Sequence, residues 1–240
     1  MLRKLARKIF AKNTLYYPGC LIKSVATNID SNYQEILKKL KIDFIVLEEF
    51  VCCGCPVLNA GYKEEYEKLK EKNLKLLDRY GISRIIVPCP ACLKTLKKDY
   101  GLEKKGIKVV HITEALADKL EKIKDLFKKG KTPKITFHDP CHLGRHCGVY
   151  DEPRKLLIAA GFGLEEFDKK REHAVCCGGG GGVKANFPDI ANKIAKERLK
   201  GCKTPFLVTA CPLCYLHLKE NAREKGIEVK EMSEVLKGAV

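Results

Sequence analysis

The sequence predicts an α/β protein built from two tandem, homologous parallel-sheet domains. Three observations carry that expectation. The chain of 240 residues repeats itself once, at an offset near 120 residues, and an internal repeat of that size decides the architecture before any single element does. Within each copy, short apolar β-forming runs alternate with longer amphipathic stretches, the order expected of parallel βαβ units. Each copy also carries five cysteines in one pattern, several of them directly after a predicted strand.

The cysteine sets are Cys20, Cys52-Cys53-Gly54 and Cys89-Pro90-Ala91-Cys92, then Cys141, Cys176-Cys177-Gly178 and Cys211-Pro212-Leu213-Cys214. They take ten of the thirteen cysteines and leave Cys55, Cys147 and Cys202 outside. The likeness extends beyond sulfur. Val51 matches Val175, Lys105-Gly106-Ile107-Lys108-Val109 matches Lys225-Gly226-Ile227-Glu228-Val229, and Glu114-Ala115-Leu116 matches Glu234-Val235-Leu236. The offset is 121 at Cys20/Cys141, 124 at the paired cysteines, 122 at the C-x-x-C and 120 at the ends.

In chain order, residues 1–12 are a basic amphipathic segment, with Leu2, Leu5, Ala6, Ile9 and Phe10 at helical spacing. The segment reads as a terminal helix packed on the core, with docking to a partner or an acidic membrane surface as the alternative. The first domain, 13–130, opens with a strand at 14–17 that leads to Cys20. A helix over 24–40, a buried strand at 44–47, a charged helix over 62–79 and a strand at 84–87 follow. That strand runs into Cys89, Cys92 opens a helix to about residue 99, and 109–111 is a fourth strand. Gly130-Lys131-Thr132-Pro133-Lys134 is the expected linker. The second domain, 131–240, repeats the order: strand 135–138 to Cys141, helix 152–160, weak strand 164–167, helix 188–200, and strand 206–209 to Cys211. Two such Rossmann-like sheets imply a pseudo-twofold relation. Cys20, Cys89, Cys141 and Cys211 then stand at strand C-termini, the edge where open parallel sheets bind ligands.

Composition narrows the function classes. No apolar run approaches the ~20 residues of a membrane helix, and the N-terminus lacks the apolar core of a signal peptide. A reducing, cytoplasmic compartment is therefore expected, where clustered cysteines bind metal or do redox chemistry. The net charge of +16 raises nucleic-acid binding, but the lysines alternate with acids, as in Glu64-Glu65-Tyr66-Glu67-Lys68. That pattern suits solvated helix faces with i,i+4 pairs, and no nucleic-acid partner is expected.

The spacing also bears on the metal. A C-x-x-C entering a helix aims two sulfurs at one centre. Zinc is the first alternative, since paired C-x-x-C units make tetrahedral sites. Each copy here has one C-x-x-C, an adjacent pair and a lone cysteine. Five thiolates exceed zinc's four positions, and adjacent cysteines suit a cluster better than one ion. The compact C-x₂-C-x₂-C-x₃-C-P run of bacterial ferredoxins is missing.

At these residues the sequence resembles the cysteine-rich CCG-domain proteins typified by the catalytic subunit of heterodisulfide reductase. The first copy places 31 and 35 residues between its cysteine groups, and the second 34 and 33. The segment His138-Asp139-Pro140-Cys141-His142-Leu143-Gly144-Arg145-His146, continued by 148–154, is most similar to the membrane-type catalytic subunit. Similar segments occur in thiol:fumarate reductase and in sulfite-reduction complexes. The resemblance spans about 14–238.

The resemblance implies two [4Fe–4S] clusters of noncubane type. One would be held by Cys20, Cys52, Cys53, Cys89 and Cys92, the other by Cys141, Cys176, Cys177, Cys211 and Cys214. It implies a small disulfide substrate between them, reduced to two thiols in one-electron steps. The ferredoxin-like domain that precedes the repeat in the membrane-type protein is missing, so a ferredoxin-like or flavoprotein partner subunit is expected to supply electrons. Membrane association would be peripheral, through that partner. The alternatives are an electron-transfer subunit of a lactate, glycolate or fumarate oxidoreductase, and a non-catalytic cluster-binding protein.

His142 and His146 are the candidate proton donors, because cleaving a disulfide to two thiols consumes two protons and imidazole titrates near neutrality. A backbone-bonded structural role is the competing reading. Arg145 and Arg154 are read as surface ion pairs or contacts to an anionic substrate. His111, His138, His173 and His217 are read as structural, and Cys55, Cys147 and Cys202 as small buried hydrophobes. The run Gly178–Gly182 fits neither a P-loop nor G-x-G-x-x-G. Its expected role is to pass backbone close to a cluster with N–H groups toward sulfur.

Overall fold

The computed structural model describes residues 12–124, 126–127 and 133–239. The N-terminal segment except Lys12, and the linker residues 130–132, lie outside the described residues. Among the described residues, seven strands form two parallel sheets. In the first, β1 (Asn13–Tyr16), β2 (Ile82–Val87) and β3 (Lys108–His111) lie in the order β1-β2-β3. In the second, β4 (Lys134–His138), β5 (Gly163–Leu164), β6 (Phe206–Thr209) and β7 (Glu228–Glu231) lie in the order β5-β4-β6-β7.

The two sheets share one strand order. On the edge of β1 away from β2, Ile45 makes a parallel bridge to Leu15, its amide donating to the Thr14 carbonyl and its carbonyl accepting from Tyr16. It stands where β5 stands in the second sheet. The expected strand 44–47 is thus reduced to this bridge, because the chain turns at Glu48-Glu49, with the Phe50 amide on the Leu47 carbonyl. The weak strand expected at 164–167 is likewise only two residues long. Both segments are cut short where the chain leaves for the paired cysteines.

The helix expected over 24–40 forms over Thr27–Lys39, and a separate short helix precedes it. Cys20–Ser24 ends as the Val25 and Ala26 amides both return to the Leu21 carbonyl, and Thr27–Lys39 begins after it. Lys63–Arg79 and Pro188–Lys200 match the expected helices closely. Their i,i+3 and i,i+4 pairs, Lys70–Glu67, Lys75–Glu71 and Lys200–Glu197, show the interleaved charges paired along solvated faces.

The repeat near position 114 has a physical cause. His111 ends β3 and caps the helix Ile112–Ala117, with the Glu114 carboxylate accepting from the His111 amide at 2.7 Å. Glu231 ends β7 in the same place, with Glu234 accepting from its amide at 2.8 Å, ahead of the helix Met232–Ala239. Both copies use one capping box to turn the chain off the last strand.

The halves pack through helices. Thr27–Lys39 lies against Met232–Ala239, Ile112–Ala117 against Asp151–Ala159, and Pro212–Ala222 against Cys20–Ser24. Where they meet, the Tyr33 hydroxyl donates to Glu231 Oε1 at 2.9 Å, and both residues are fully buried. Burial pushes the Glu231 carboxyl up to about 7. A carboxyl raised in the folded state stabilises it below the unfolded value, and that contribution is lost as pH rises through the folded value. Stability should therefore fall between about pH 4.5 and about pH 7, by on the order of 3 kcal/mol for a shift of this size. Urea unfolding at several pH values, compared with Glu231→Gln, checks this. The variant should lose that part of the slope, and an unchanged slope would assign the pH dependence to other groups.

Candidate functional site

Both cysteine sets assemble where strands end. Pro18-Gly19 follows β1 and presents Cys20 as the first residue of Cys20–Ser24. Cys89, two residues past β2, caps the helix Pro90–Lys94 that carries Cys92. In the second half Cys141 lies three residues past β4, and Cys211 caps Pro212–Ala222, which carries Cys214. Proline after Cys89 and Cys211 suits the first helical turn, whose N–H has no partner within the helix. The amides of Ala91 and Cys92 are left free to bond the Cys89 sulfur.

The paired cysteines are held by left-handed glycines. Gly54 has φ +83° and Gly178 φ +86°. A Cβ would stand 2.6 Å from Tyr66 at Gly54 and 2.8 Å from the Ala191 carbonyl at Gly178, so only glycine fits either turn. Each turn returns its amide to sulfur: Gly54 to Cys52 and Gly178 to Cys176, both at 3.4 Å, with Gly179 to Cys177 at 3.5 Å. The glycine run thus passes its backbone beside the sulfurs. In the first copy Asn73 clamps the same loop, accepting from the Val51 amide and donating to the Cys52 carbonyl, both at 3.1 Å. Asn73 gives no signal in the sequence, because its partners are about twenty residues away.

The sulfurs converge. Cys20 and Cys52 are 3.8 Å apart, Cys141 and Cys176 4.0 Å, and Cys177 and Cys214 3.2 Å. Cys92 interacts with Cys53 and Cys89, and Cys214 with Cys177 and Cys211. Crowding polarises each set. The neighbouring thiols hold Cys52 and Cys176 far below the ordinary thiol range. They push Cys20, Cys53, Cys92, Cys141 and Cys214 above it. Five crowded sulfurs cannot all ionise unless positive charge enters between them. The donor set therefore fits a thiophilic, polynuclear metal group, and five converging sulfurs per set exceed the four positions of tetrahedral zinc.

His142 and His146 lie together at the second set. His142 Nδ1 is 3.4 Å from Cys141 Sγ, and the two imidazole rings lie tilted at 51° with centroids 4.8 Å apart. His142 is half-buried and His146 exposed, so they lead from solvent to a site sulfur. Burial, His146 and Lys94 lower the affinity of His142 for a proton; burial, Lys94 and Lys98 do so for His146. These lysines belong to the first repeat, just beyond Cys92, so the charge of the first repeat reaches the histidines at the second set.

One sequence reading needs correction. Arg154 is neither a surface ion pair nor a substrate contact. It is buried, with Nη1 and Nη2 on Asp139 at 2.8 and 2.9 Å and Nε and Nη2 on Glu166 at 2.7 and 3.0 Å. Asp139 stands two residues before Cys141 and also accepts from the Arg171 amide at 2.8 Å, so this network fixes the approach to the second set. His138 is buried, as a structural role requires, but it also lies at the second set. Burial, then Arg198, push its ring down to about 3, and one ring nitrogen lies with the Cys177 and Cys214 sulfurs inside 4.8 Å. Of the other histidines, His111 bonds Thr113 and the Pro88 carbonyl, His217 bonds the Ala191 carbonyl, and His173 is exposed.

Arg145 donates to the carbonyls of Glu172 and Ala174 at 3.2 and 2.6 Å, tying the Cys141 loop to the chain before Cys176. The remaining cysteines have other partners or settings. Cys55 is buried and accepts from Asn59 at 3.6 Å, Cys202 donates to the Thr204 carbonyl at 3.3 Å, and Cys147 is half-buried and pushed up to about 11 by burial. Among the described residues no helix is long and apolar enough to cross a membrane.

The CCG cysteine-rich domain matches this chain twice, at residues 14–97 and 135–219. Over 222 residues the chain is 36% identical to a subunit of the fumarate reductase (CoM/CoB) of Methanothermobacter marburgensis, covering 91% of this chain and 44% of that protein. It is 33% identical over 233 residues to a subunit of the dihydromethanophenazine:CoB–CoM heterodisulfide reductase of Methanosarcina acetivorans, covering 92% and 57%. It is 33% identical over 245 residues to the EtfAB:quinone oxidoreductase of Syntrophomonas wolfei, covering 92% and 34%. The chain spans roughly half the length, or less, of these relatives.

Proposed function

Because the chain belongs to the cysteine-rich CCG-domain family, twice over, we propose that it is an iron–sulfur oxidoreductase subunit that reduces a disulfide to two thiols. The observation that carries this reading is the His142–His146 pair beside Cys141 of the second five-sulfur set, with the helix that begins at Cys20 packed against the helix that carries Cys214. Cys20, Cys52, Cys53, Cys89 and Cys92 would hold one [4Fe–4S] cluster of noncubane type, and Cys141, Cys176, Cys177, Cys211 and Cys214 the other. Bound clusters would supply one-electron chemistry at thiophilic metal. Domains 13–130 and 131–240, related by a pseudo-twofold between Rossmann-like sheets, would each contribute one set. The shared strand order of the two sheets supports that relation.

The overall step breaks one S–S bond and consumes two electrons and two protons. A ferredoxin-like or flavoprotein partner supplies the electrons. His146 takes protons from solvent and His142 holds them beside Cys141, where the leaving thiolate is protonated. Burial first, then the cationic side chain of Lys94, lowers the proton affinity of both rings, so that the pair releases protons readily.

A second reading is an electron-transfer subunit whose substrate is bound by a flavoprotein partner. The similarity to the fumarate reductase and to EtfAB:quinone oxidoreductase favours it. Anaerobic purification and thiol titration separate the readings. About eight irons and eight acid-labile sulfides per chain are expected from two four-iron clusters, with a paramagnetic signal that changes on adding thiol. Zinc without labile sulfide would overturn the cluster reading, and a signal indifferent to every thiol would favour electron transfer.

A further inference from the structure

The two cysteine sets differ at one equivalent position, three residues before the first cysteine. Tyr17 stands there in the first copy and His138 in the second. Tyr17 lies beside its set, with Cys92, Cys53, Cys52 and Cys20 all acting on it, but its hydroxyl is already spent on the Val51 carbonyl at 3.1 Å. His138 is fully buried. Its Nδ1 accepts from Arg198 Nε at 3.1 Å, and its Nε2 has no partner among the described residues.

The Arg198 bond decides which ring nitrogen carries the proton. A guanidinium does not give up its proton in a protein, so its Nε–H must donate and Nδ1 must accept. The single proton of the ring is therefore on Nε2. That nitrogen has no lone pair to offer a metal, although a ring nitrogen lies with the Cys177 and Cys214 sulfurs inside 4.8 Å. A buried N–H without a partner is costly, and sulfur is the acceptor nearby. Arg198 is itself buried, over the Phe167 ring at 3.4 Å, with Nη2 unpartnered among the described residues.

We propose that His138, oriented by Arg198, offers its free Nε2–H to the cluster that the second sulfur set would hold and raises the reduction potential of that cluster above that of the first. The inference rests on the cluster-binding reading above. A donor to sulfur stabilises the more negative, reduced form, and the cation behind the ring acts in the same direction. Electrons entering the chain would then collect at the second set, beside His142 and His146.

Redox titration of the anaerobically loaded protein, read by paramagnetic resonance, tests this. In wild type the two clusters should titrate separately. His138→Phe should lower only the higher potential, by about tenfold in the one-electron equilibrium, or about 59 mV, with iron and sulfide unchanged. An unmoved potential, or equal shifts in both clusters, overturns the proposal. The loaded wild type gives a second measurement that does not depend on the variant folding. With ¹⁵N-histidine, two weak couplings to the higher-potential cluster are expected, one from His142 beside Cys141 and one from His138. A strong coupling, meaning an iron–nitrogen bond, or fewer than two couplings, overturns the proposal. Wild type that binds no iron and sulfide overturns the cluster reading and this inference together. A loaded protein with unmoved potentials overturns this inference alone.

Discussion

Replacing Cys214 with alanine should halve the iron and labile sulfide bound per chain and leave the signal of the first cluster intact. Cys214 is buried on the first turn of Pro212–Ala222, with its sulfur 3.2 Å from that of Cys177. It is the point where the C-x-x-C meets the paired cysteines, so its loss leaves a gap that water cannot fill with an equivalent soft donor. The first set contains no residue of the second half, so it should load normally. Iron and sulfide counting after anaerobic reconstitution, with Cys202→Ala as control, reads the result. Full loading of Cys214→Ala would remove Cys214 from the ligand set. Complete loss of iron from a folded variant would show that the two sites load as one.

Arg154→Met should destabilise the metal-free chain by about 3–5 kcal/mol, the usual cost of removing one partner from a buried ion pair. Arg154 serves two carboxylates at once, Asp139 and Glu166, and also donates to the Tyr150 carbonyl at 2.7 Å. Without it, Asp139 would be a buried charge retaining only the Arg171 amide. Most of the cost arises from that unpaired carboxylate, so Arg154→Met combined with Asp139→Asn should recover part of the loss. The exposed pair Lys134–Glu165 offers the contrast: Lys134→Met should leave the unfolding midpoint nearly unchanged, because solvent screens such pairs. Urea unfolding of the set checks this, and a small effect at Arg154 would mean that the pair is solvated in solution.

These outcomes separate what is local in this molecule from what is not. Strand runs such as Phe206–Thr209 and Arg84-Ile85-Ile86-Val87, and the helix Pro188–Lys200, are legible because their periodicity depends only on near neighbours. The segments 44–47 and 164–167 read as longer strands than they form. Each is apolar enough to pair, but the chain must leave the sheet edge early to bring the paired cysteines around. The separate helix Cys20–Ser24 is not legible, because five residues carry too little periodicity to show.

The sequence by itself determined the duplication, the parallel α/β order and the placement of cysteines at strand ends. A repeat and a ligand spacing are properties of the chain, and strand ends follow from composition. Only the tertiary structure decided the roles of Arg154, Asn73 and His138. Arg154 reads as a surface charge until Asp139 and Glu166 are seen to enclose it. His138 reads as one more core histidine until Arg198, sixty residues later, occupies Nδ1. Which groups share a buried space is settled by packing between distant segments, and there a guanidinium that can only donate assigns the ring proton of His138 to one atom.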